Sequence, residues 1–206
     1  MNISDFSALT FTFFEASIDE IESFLKKIKS EDLEPQKITL SKMNFDIHKY
    51  FSEVPDLKNP QKPSKQTVHP TLEAFFYNPS CCPEKTMMIS NSRDGWIQLC
   101  RIIAKNFRCR FYRFAIDEEF GNSFESRDGV STRVVYALKE DRWIFYETGE
   151  MLSIENKEYY KKRNKKDRIN KKILIEYCTE LNLDVFNDSF WCSEDEGLLY
   201  VRKNSI

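Results

Sequence analysis

The sequence predicts an α+β fold in which a mainly antiparallel sheet carries about three helices packed against it. Two observations lead to this prediction. Residues 87–117 have the pattern of a strand, a helix and a strand, because apolar residues in their middle recur every three or four positions. Residues 131–139 and 142–148 contain β-branched and aromatic runs on either side of a charged turn at Glu140 and Asp141, which is typical of a β-hairpin.

The N-terminal part begins with a strand at residues 8–16, followed by a helix at 17–30. Ser17 is a good N-cap, and Glu20 lies three residues further on, as in a capping box. The apolar stripe of this helix consists of Ile18, Ile21, Phe24, Leu25 and Ile28. A short strand is expected at 37–40, and residues 44–51 fit either a strand or a short helix.

A polar stretch at residues 55–70 contains four prolines and little periodicity, which is typical of a loop or linker. It divides the chain into an N-terminal strand–helix part, 1–54, and a main α+β domain, 71–206. A single domain over 1–206 is the alternative, because neither part need fold alone.

The central unit is expected to form the middle of the core. Strands are predicted at 72–77 and 87–89, and Asn91 or Ser92 caps the following helix, with Asp94 in its first turn. The apolar face of that helix consists of Trp96, Leu99, Cys100, Ile103, Ala104 and Phe107. The aromatic-rich residues 109–116 predict the next strand.

The C-terminal half adds charged segments between further elements. An acidic loop is predicted at 117–129, before the hairpin. A strongly basic run at 157–172 precedes a helix at 170–181, and strands at 190–193 and 198–202 are expected to close the chain as a hairpin.

Composition excludes several classes of protein. The 206 residues include 31 basic and 33 acidic side chains, so the net charge of −2 gives no general attraction to nucleic acid or to an anionic membrane. The N-terminus lacks the basic region of a signal peptide, and no apolar run approaches the roughly 18 residues of a membrane span. We therefore expect a cytoplasmic protein with reduced cysteines.

The common catalytic and cofactor motifs are absent from the sequence. The glycines are too dispersed for a phosphate-binding loop, and there is neither a G-x-S-x-G nor an H-E-x-x-H motif. Cys81 or Cys82 could pair with His48 or His69 in a nucleophilic dyad, although nothing in the sequence supports the pairing. Cys100 and Cys178 lie on apolar helix faces and are predicted to be core residues. We expect no enzyme activity, cofactor or bound metal.

Two charged groups are candidates for binding a partner. Acidic residues near predicted strand ends could form one docking face for a basic protein, and they are Asp117, Glu118, Glu119, Glu125, Glu194, Asp195 and Glu196. A solvated turn is the alternative interpretation of each. The basic run could bind single-stranded nucleic acid, with Tyr159, Tyr160, Lys161, Lys162, Arg163, Lys165 and Lys166 as its patch. A solvated helix face is the simpler interpretation of that run.

Several short motifs carry a resemblance. They are F-F-Y-N-P at 75–79, D-G-W at 94–96, W-x-F-Y-E-x-G-E-x-L at 143–152 and Y-x-K-R-x-x-K-D-R at 160–168. In this order the chain resembles bacterial cytosolic proteins, and it is similar in general type to immunity proteins of contact-dependent growth inhibition and related toxin systems. The resemblance covers about residues 75–183 and carries no site residue. It implies a protein that binds a cognate toxin one to one, without catalysis, and the toxin is expected to be a nuclease. RNA or single-stranded nucleic-acid binding is the alternative function.

Overall fold

The computed structural model describes residues 3–32, 34, 37–46 and 71–203. These residues form one nine-stranded sheet in which every neighbouring pair of strands is antiparallel, with helices packed on it. The predicted α+β class with a mainly antiparallel sheet is therefore confirmed.

The described elements alternate between the sheet and the layers that cover it. The strands are β1 (Ala8–Phe14), β2 (Ile38–Asp46), β3 (Thr71–Tyr77), β4 (Thr86–Ser90), β5 (Phe111–Asp117), β6 (Gly121–Arg127), β7 (Thr132–Lys139), β8 (Trp143–Thr148) and β9 (Cys192–Lys203). The helices are α1 (Ile18–Glu31), α2 (Ile97–Phe107), α3 (Lys157–Tyr160) and α4 (Lys171–Glu180). The strand order across the sheet is β2-β9-β3-β4-β1-β5-β6-β7-β8.

Strand β1 lies at the centre of this order because its sequence, A-L-T-F-T-F-F, can be buried on both sides. It pairs with β4 on one side and β5 on the other. The strand–helix–strand unit predicted to be the middle of the core therefore flanks the central strand, and α2 crosses over β1 to connect β4 with β5.

Two buried clusters lie on opposite faces of the sheet. On one face, α1 and α2 pack against alternate residues of the central strands, such as Phe14, Phe76 and Phe111. On the other face, α4 and the turn Asp188–Trp191 pack against Phe11, Phe114 and their neighbours. We call these the α2 face and the α4 face, and the alternation along each strand assigns its residues to one or the other.

The first helix begins as the sequence predicts. Ser17 accepts the backbone N–H of Glu20, and the Glu20 carboxylate accepts the backbone N–H of Ser17 at 2.8 Å. The start of α2 differs from the prediction, because its N-cap is Trp96 and no side chain caps it. Trp96 takes a left-handed conformation with φ 49°, and its ring packs 5.4 Å from that of Tyr200.

Two further predictions were wrong. Most of the expected acidic loop at 117–129 is strand β6, which pairs with β5 after a tight turn. The expected closing hairpin is one strand, β9, which lies between β2 and β3 in the sheet. The sequence predicts a turn at the acidic residues 194–196. In the structure these residues belong to β9, and they are exposed where this strand pairs with β2.

The predicted linker at 55–70, together with His48 and His69, lies outside the described residues. Strands β1 and β2 precede that segment, and they belong to the same sheet as the seven strands that follow it. Only the first part of the ambiguous stretch at 44–51 is described, and it is the end of β2.

Candidate functional site

The most distinctive surface of the described chain is the α2 face of the last two strands. Because Tyr136 pairs with Tyr146 and Leu138 with Ile144, these four side chains point to the same face, together with Val134. None of the five belongs to either buried cluster. We call these residues, Val134, Tyr136, Leu138, Ile144 and Tyr146, the open face.

The open face exposes large apolar side chains in a row. Leu138 is 38% exposed and Tyr146 is 46% exposed. The rings of Tyr136 and Tyr146 stack across the two strands, with centroids 5.2 Å apart and an angle of 25°. Tyrosine is enriched where proteins bind one another, because its ring is large and rigid and carries one polar group.

One ion pair and several hydrogen bonds form the border between the open face and helix α2. Arg101 of α2 donates two hydrogen bonds to the Glu125 carboxylate on β6, from Nε at 2.9 Å and from Nη2 at 3.1 Å. On the neighbouring strand, buried Arg113 donates to the Asp94 carbonyl at 2.6 Å and to Ser123 Oγ at 3.2 Å. Helix α2 packs on the sheet only as far as these contacts. No other described helix packs on the open face.

A buried polar network holds the opposite side of these strands. Arg133 of β7 donates to Glu155 from Nε at 3.0 Å and from Nη2 at 2.8 Å, and to Glu147 of β8 at 2.7 Å. The Tyr160 hydroxyl also donates to Glu155 and lies 2.7 Å from the Tyr177 hydroxyl of α4. The network therefore ties β7, β8, α3 and α4 together behind the open face.

The pKa shifts in this network follow from burial and ion pairing. Burial lowers the pKa of the Arg133 guanidinium, but hydrogen bonds to Glu155 and Glu147 outweigh that effect and raise it. Burial, together with the hydrogen bond to Glu155, raises the pKa of Tyr160. Both groups keep the charge states that hold the network together at neutral pH.

The basic run covers the α4 side of β8. The guanidinium carbon of Arg168 lies 5.0 Å from the ring centroid of Phe145 in β8, and the turn Lys165–Asp167 contacts the same strand. The exposed basic side chains of this run are Lys157, Lys161, Lys162, Arg163, Lys165, Lys166 and Lys172, and Glu158 is the exposed acid among them. A concentrated positive charge therefore lies along the outer edge of the sheet.

The tyrosines of the predicted nucleic-acid patch are both engaged in internal contacts. Tyr160 is 7% exposed and belongs to the buried network. The Tyr159 hydroxyl donates to Glu176, and Lys162 Nζ lies 4.6 Å from the centre of its ring. The cations of the patch are exposed, whereas Tyr160 is buried and Tyr159 is half-buried beside Lys162, so at most one of the two rings can stack on a base.

The predicted acidic face is not one surface. Asp117, Glu118 and Glu119 lie at the end of the sheet where β1 begins, because Asp117 pairs with Ala8. The acids at 194–196 lie near the other end, because the later residue Leu198 pairs with Phe76, close to the end of β3. Four strand spacings separate β9 from β5, or roughly 19 Å.

Several of these acids also have partners within the chain. Asp117 accepts from Arg93 at 2.7 Å, and Glu118 forms an ion pair with Lys171 at 3.0 Å. Glu125 is 5% exposed and is held by Arg101, so its expected exposure is wrong. Only Glu194, Asp195 and Glu196 form a compact exposed group without an ion pair to another described residue.

A cleft of about 400 Å³ lies between the end of β1, α1 and the end of α2. Charged residues of its lining form hydrogen bonds within the fold: Arg110 donates to Asp128 at 2.5 Å, and Glu15 accepts from Tyr112 at 2.9 Å. The one thiol in the lining is Cys109, and burial raises its pKa to about 11, so it is protonated at neutral pH. The arrangement supplies no activated nucleophile.

Cys82, Cys100 and Cys178 also lack the environment of a reactive thiolate. Cys100 and Cys178 are 0% and 1% exposed, as predicted for core residues. Burial and the neighbouring Cys81 raise the pKa of Cys82 to about 12. The histidines of the hypothetical dyad lie outside the described residues, so that hypothesis stays untested.

Comparison of the chain with protein-family models, with curated proteins and with solved structures found no match. Within the described residues, no group of three or more histidine, cysteine, aspartate and glutamate side chains is arranged to hold a metal ion. None of the described helices has the length and apolar character needed to cross a bilayer.

The open face was not singled out by the sequence. Residues 134–138 and 143–146 are apolar on both sides of the strands, and this pattern normally indicates a strand buried on both faces. The open face could have been identified from a hairpin that is apolar on both faces and lies at the edge of the sheet. That signal requires the strand order, which the sequence does not provide.

Proposed function

We propose that this protein is a non-catalytic binding protein that neutralises a cognate antibacterial toxin in the cytoplasm, through a one-to-one complex. The observation that carries the proposal is the open face. Its paired tyrosines and its aliphatic neighbours form an exposed apolar patch of the composition found at protein interfaces. The resemblance to immunity proteins supplies the kind of partner.

The buried network behind the open face supports the same function. A binding surface built on strands that are tied to two helices loses little conformational entropy when the partner binds. The arrangement does not depend on the acidic residues that the sequence singled out, because those residues lie at two ends of the sheet.

The test is isothermal titration calorimetry with the product of the gene directly upstream, since an immunity gene follows its toxin gene. We expect one-to-one binding. The double variant Tyr136→Ser, Tyr146→Ser should weaken it by roughly 30-fold or more, because central tyrosines are typical hot spots. Phe186→Ser is the control, since Phe186 is 53% exposed and lies just before the turn Asp188–Trp191, which packs on the α4 face.

Two results would contradict the proposal. If the double variant bound as tightly as the wild type while Glu194→Lys abolished binding, the acidic residues of β9 would be the docking site. If the purified protein bound single-stranded RNA instead, with an affinity that falls steeply with salt, the function would be that predicted from the basic run.

A further inference from the structure

We infer that β8 is a docking edge to which an extended, acidic segment of a partner protein adds as a further strand. The inference rests on the proposed function, because it specifies how the partner of the open face is recognised. It is carried by three observations: the direction of the β8 backbone groups, the side chains of this edge and the charge beside it.

The backbone groups of β8 that point away from the sheet can be assigned from the neighbouring strand. The Lys139 N–H donates to the Phe120 carbonyl at 2.8 Å, and the Asp128 N–H donates to the Ser131 carbonyl at 3.3 Å. In and beside β7, odd-numbered residues therefore direct their backbone groups towards β6, and even-numbered residues direct theirs towards β8.

The register between β7 and β8 then gives the direction of the backbone groups of β8. Even-numbered residues of β7 pair with even-numbered residues of β8, as Tyr136 does with Tyr146. The N–H and C=O groups of Trp143, Phe145 and Glu147 therefore point away from β7. No described strand pairs with that side of β8, so these groups are available for hydrogen bonds to a partner strand.

The side chains of β8 do not protect this edge. Its sequence, W-I-F-Y-E-T, contains one charged residue, no proline and no bulge in its register with β7. Natural edge strands are usually blunted by lysine, proline or a bulge, as β2 is by Lys42 and by an irregular register near Asn44. An unprotected edge that adjoins an exposed apolar face is suited to strand addition.

The positive charge beside β8 indicates which kind of strand can pair with this edge. Residues 157–172 contain nine basic residues against two acids, and this run packs on β8 through Arg168 and Phe145. A second copy of the chain paired edge to edge would bring two such runs together across a twofold axis, which is electrostatically unfavourable. An acidic segment has the complementary charge, so the partner strand is expected to be acidic.

The first test uses two synthetic peptides and nuclear magnetic resonance of the ¹⁵N-labelled full chain. The acidic probe is acetyl-Glu-Val-Glu-Tyr-Glu-Val-Glu-amide, and the control replaces every glutamate by lysine. We expect the acidic peptide to shift the amide signals of Trp143, Phe145 and Glu147, with an affinity roughly tenfold or more above that of the basic peptide. Equal binding of both peptides, or no shift at these amides, would overturn the inference.

The second test uses the upstream gene product and two substitutions at one position. Glu147→Pro removes an outward N–H, whereas Glu147→Ala keeps it, and both remove the same ion pair with Arg133. We expect Glu147→Pro to weaken binding roughly tenfold or more relative to Glu147→Ala. Equal affinities would show that the partner binds without strand addition, and would overturn the inference while leaving the proposed function intact.

The two proposals can fail separately. If the upstream gene product does not bind but the acidic peptide binds at β8, toxin neutralisation by this pair is wrong and the docking edge stands. If the gene product binds and neither peptide shifts the β8 amides, the docking edge is wrong and the proposed function stands.

Discussion

Arg133 is the residue on which the packing behind the open face depends most. Its side chain is 3% exposed, and its guanidinium donates to the buried Glu155 carboxylate and to the Thr148 and Gly149 carbonyls. Arg133→Met would leave Glu155 buried without its cation, so we expect a loss of about 3–5 kcal/mol in the free energy of unfolding. Urea denaturation followed by circular dichroism measures it.

The control for this prediction is Arg142→Met, because Arg142 lies exposed in the turn between β7 and β8. Its effect should stay within about 0.5 kcal/mol. If Arg133→Met were as stable as Arg142→Met, the network would contribute little to the packing of α3 and α4 on the sheet.

Asp128 gives a pH dependence whose sign can be worked out. The hydrogen bond from Arg110, with further donors at Ser131 and Val130, lowers the pKa of Asp128 in the folded state. A lowered pKa stabilises the fold above the unfolded pKa of about 3.9, and that contribution is lost as the pH falls below it. We expect Asp128→Asn to be less stable than the wild type at pH 7.

The measurement is thermal unfolding of wild type and Asp128→Asn between pH 7 and pH 2.5. The difference in melting temperature should shrink as the pH falls below about 4, because the stabilisation of the fold by the ionised Asp128 carboxylate then decreases. A difference that is constant over this range would mean that the carboxylate charge at position 128 does not stabilise the fold.

At the residue scale, the sequence predicts the features that depend only on neighbouring residues in the chain. The capping box of Ser17 and Glu20 and the burial of Cys100 follow from spacing along one helix, and both are found. Tyr160 was assigned to a nucleic-acid patch because basic residues follow it. Its burial depends on Glu155 and Tyr177, and the contact with α4 cannot be inferred from neighbouring residues.

At the element scale, Gly121 is what allows β6 to pair closely with β7. Its φ is 120°, and a Cβ at this position would lie 2.1 Å from the Ala137 carbonyl oxygen. Gly121→Ala should therefore displace the start of β6 and lower the free energy of unfolding by about 2 kcal/mol or more. Chemical denaturation measures the change.

Gly129→Ala is the matched control for this prediction. Gly129 also has a positive φ, 85°, but the nearest atom to its Cβ would be 3.4 Å away, so only the backbone strain of about 1–2 kcal/mol is expected. Equal losses for the two variants would mean that the close approach of β6 to β7 contributes nothing.

The sequence predicts an element correctly where its apolar periodicity is strong, and it fails where a charged strand has the composition of a loop. α1, α2 and α4 are predicted because each has an apolar stripe of its own, and the β7–β8 hairpin is predicted because β-branched and aromatic runs flank a charged turn. β6 and the first half of β9 were missed because their sequences, G-N-S-F-E-S-R and C-S-E-D-E-G, are polar. Pairing with neighbouring strands orders these segments, and that information is not local.

At the scale of the whole molecule, the distribution of charge predicts how binding depends on salt. The chain has a net charge of −2, but the run at 157–172 concentrates positive charge beside β8. If an acidic partner docks there, raising the salt from about 50 to 500 mM should weaken binding and slow association. Calorimetry and stopped-flow fluorescence with the upstream gene product measure both effects.

Charge reversal supplies the control for the salt dependence. The double variant Lys165→Glu, Lys166→Glu changes two exposed side chains beside β8 and should reduce the salt dependence as well as the affinity. Glu194→Lys, at the far side of the sheet, should change neither. The opposite pattern would place the partner on the acidic residues of β9.

The strand order explains why the open face could not be predicted from the sequence. Both faces of β7 and β8 are apolar, but this hairpin lies at the end of the sheet, beyond the reach of α2, so no described helix covers the open face. The same order separates the acidic residues that the sequence grouped together.

The most direct test of the central claim is amide hydrogen exchange of the full chain, alone and with the product of the upstream gene. The account predicts that binding protects the amides of Trp143, Phe145 and Glu147, and also slows exchange in the hairpin that carries Tyr136 and Tyr146. Protection confined to residues 194–196, with β8 exchanging as in the free protein, would contradict it.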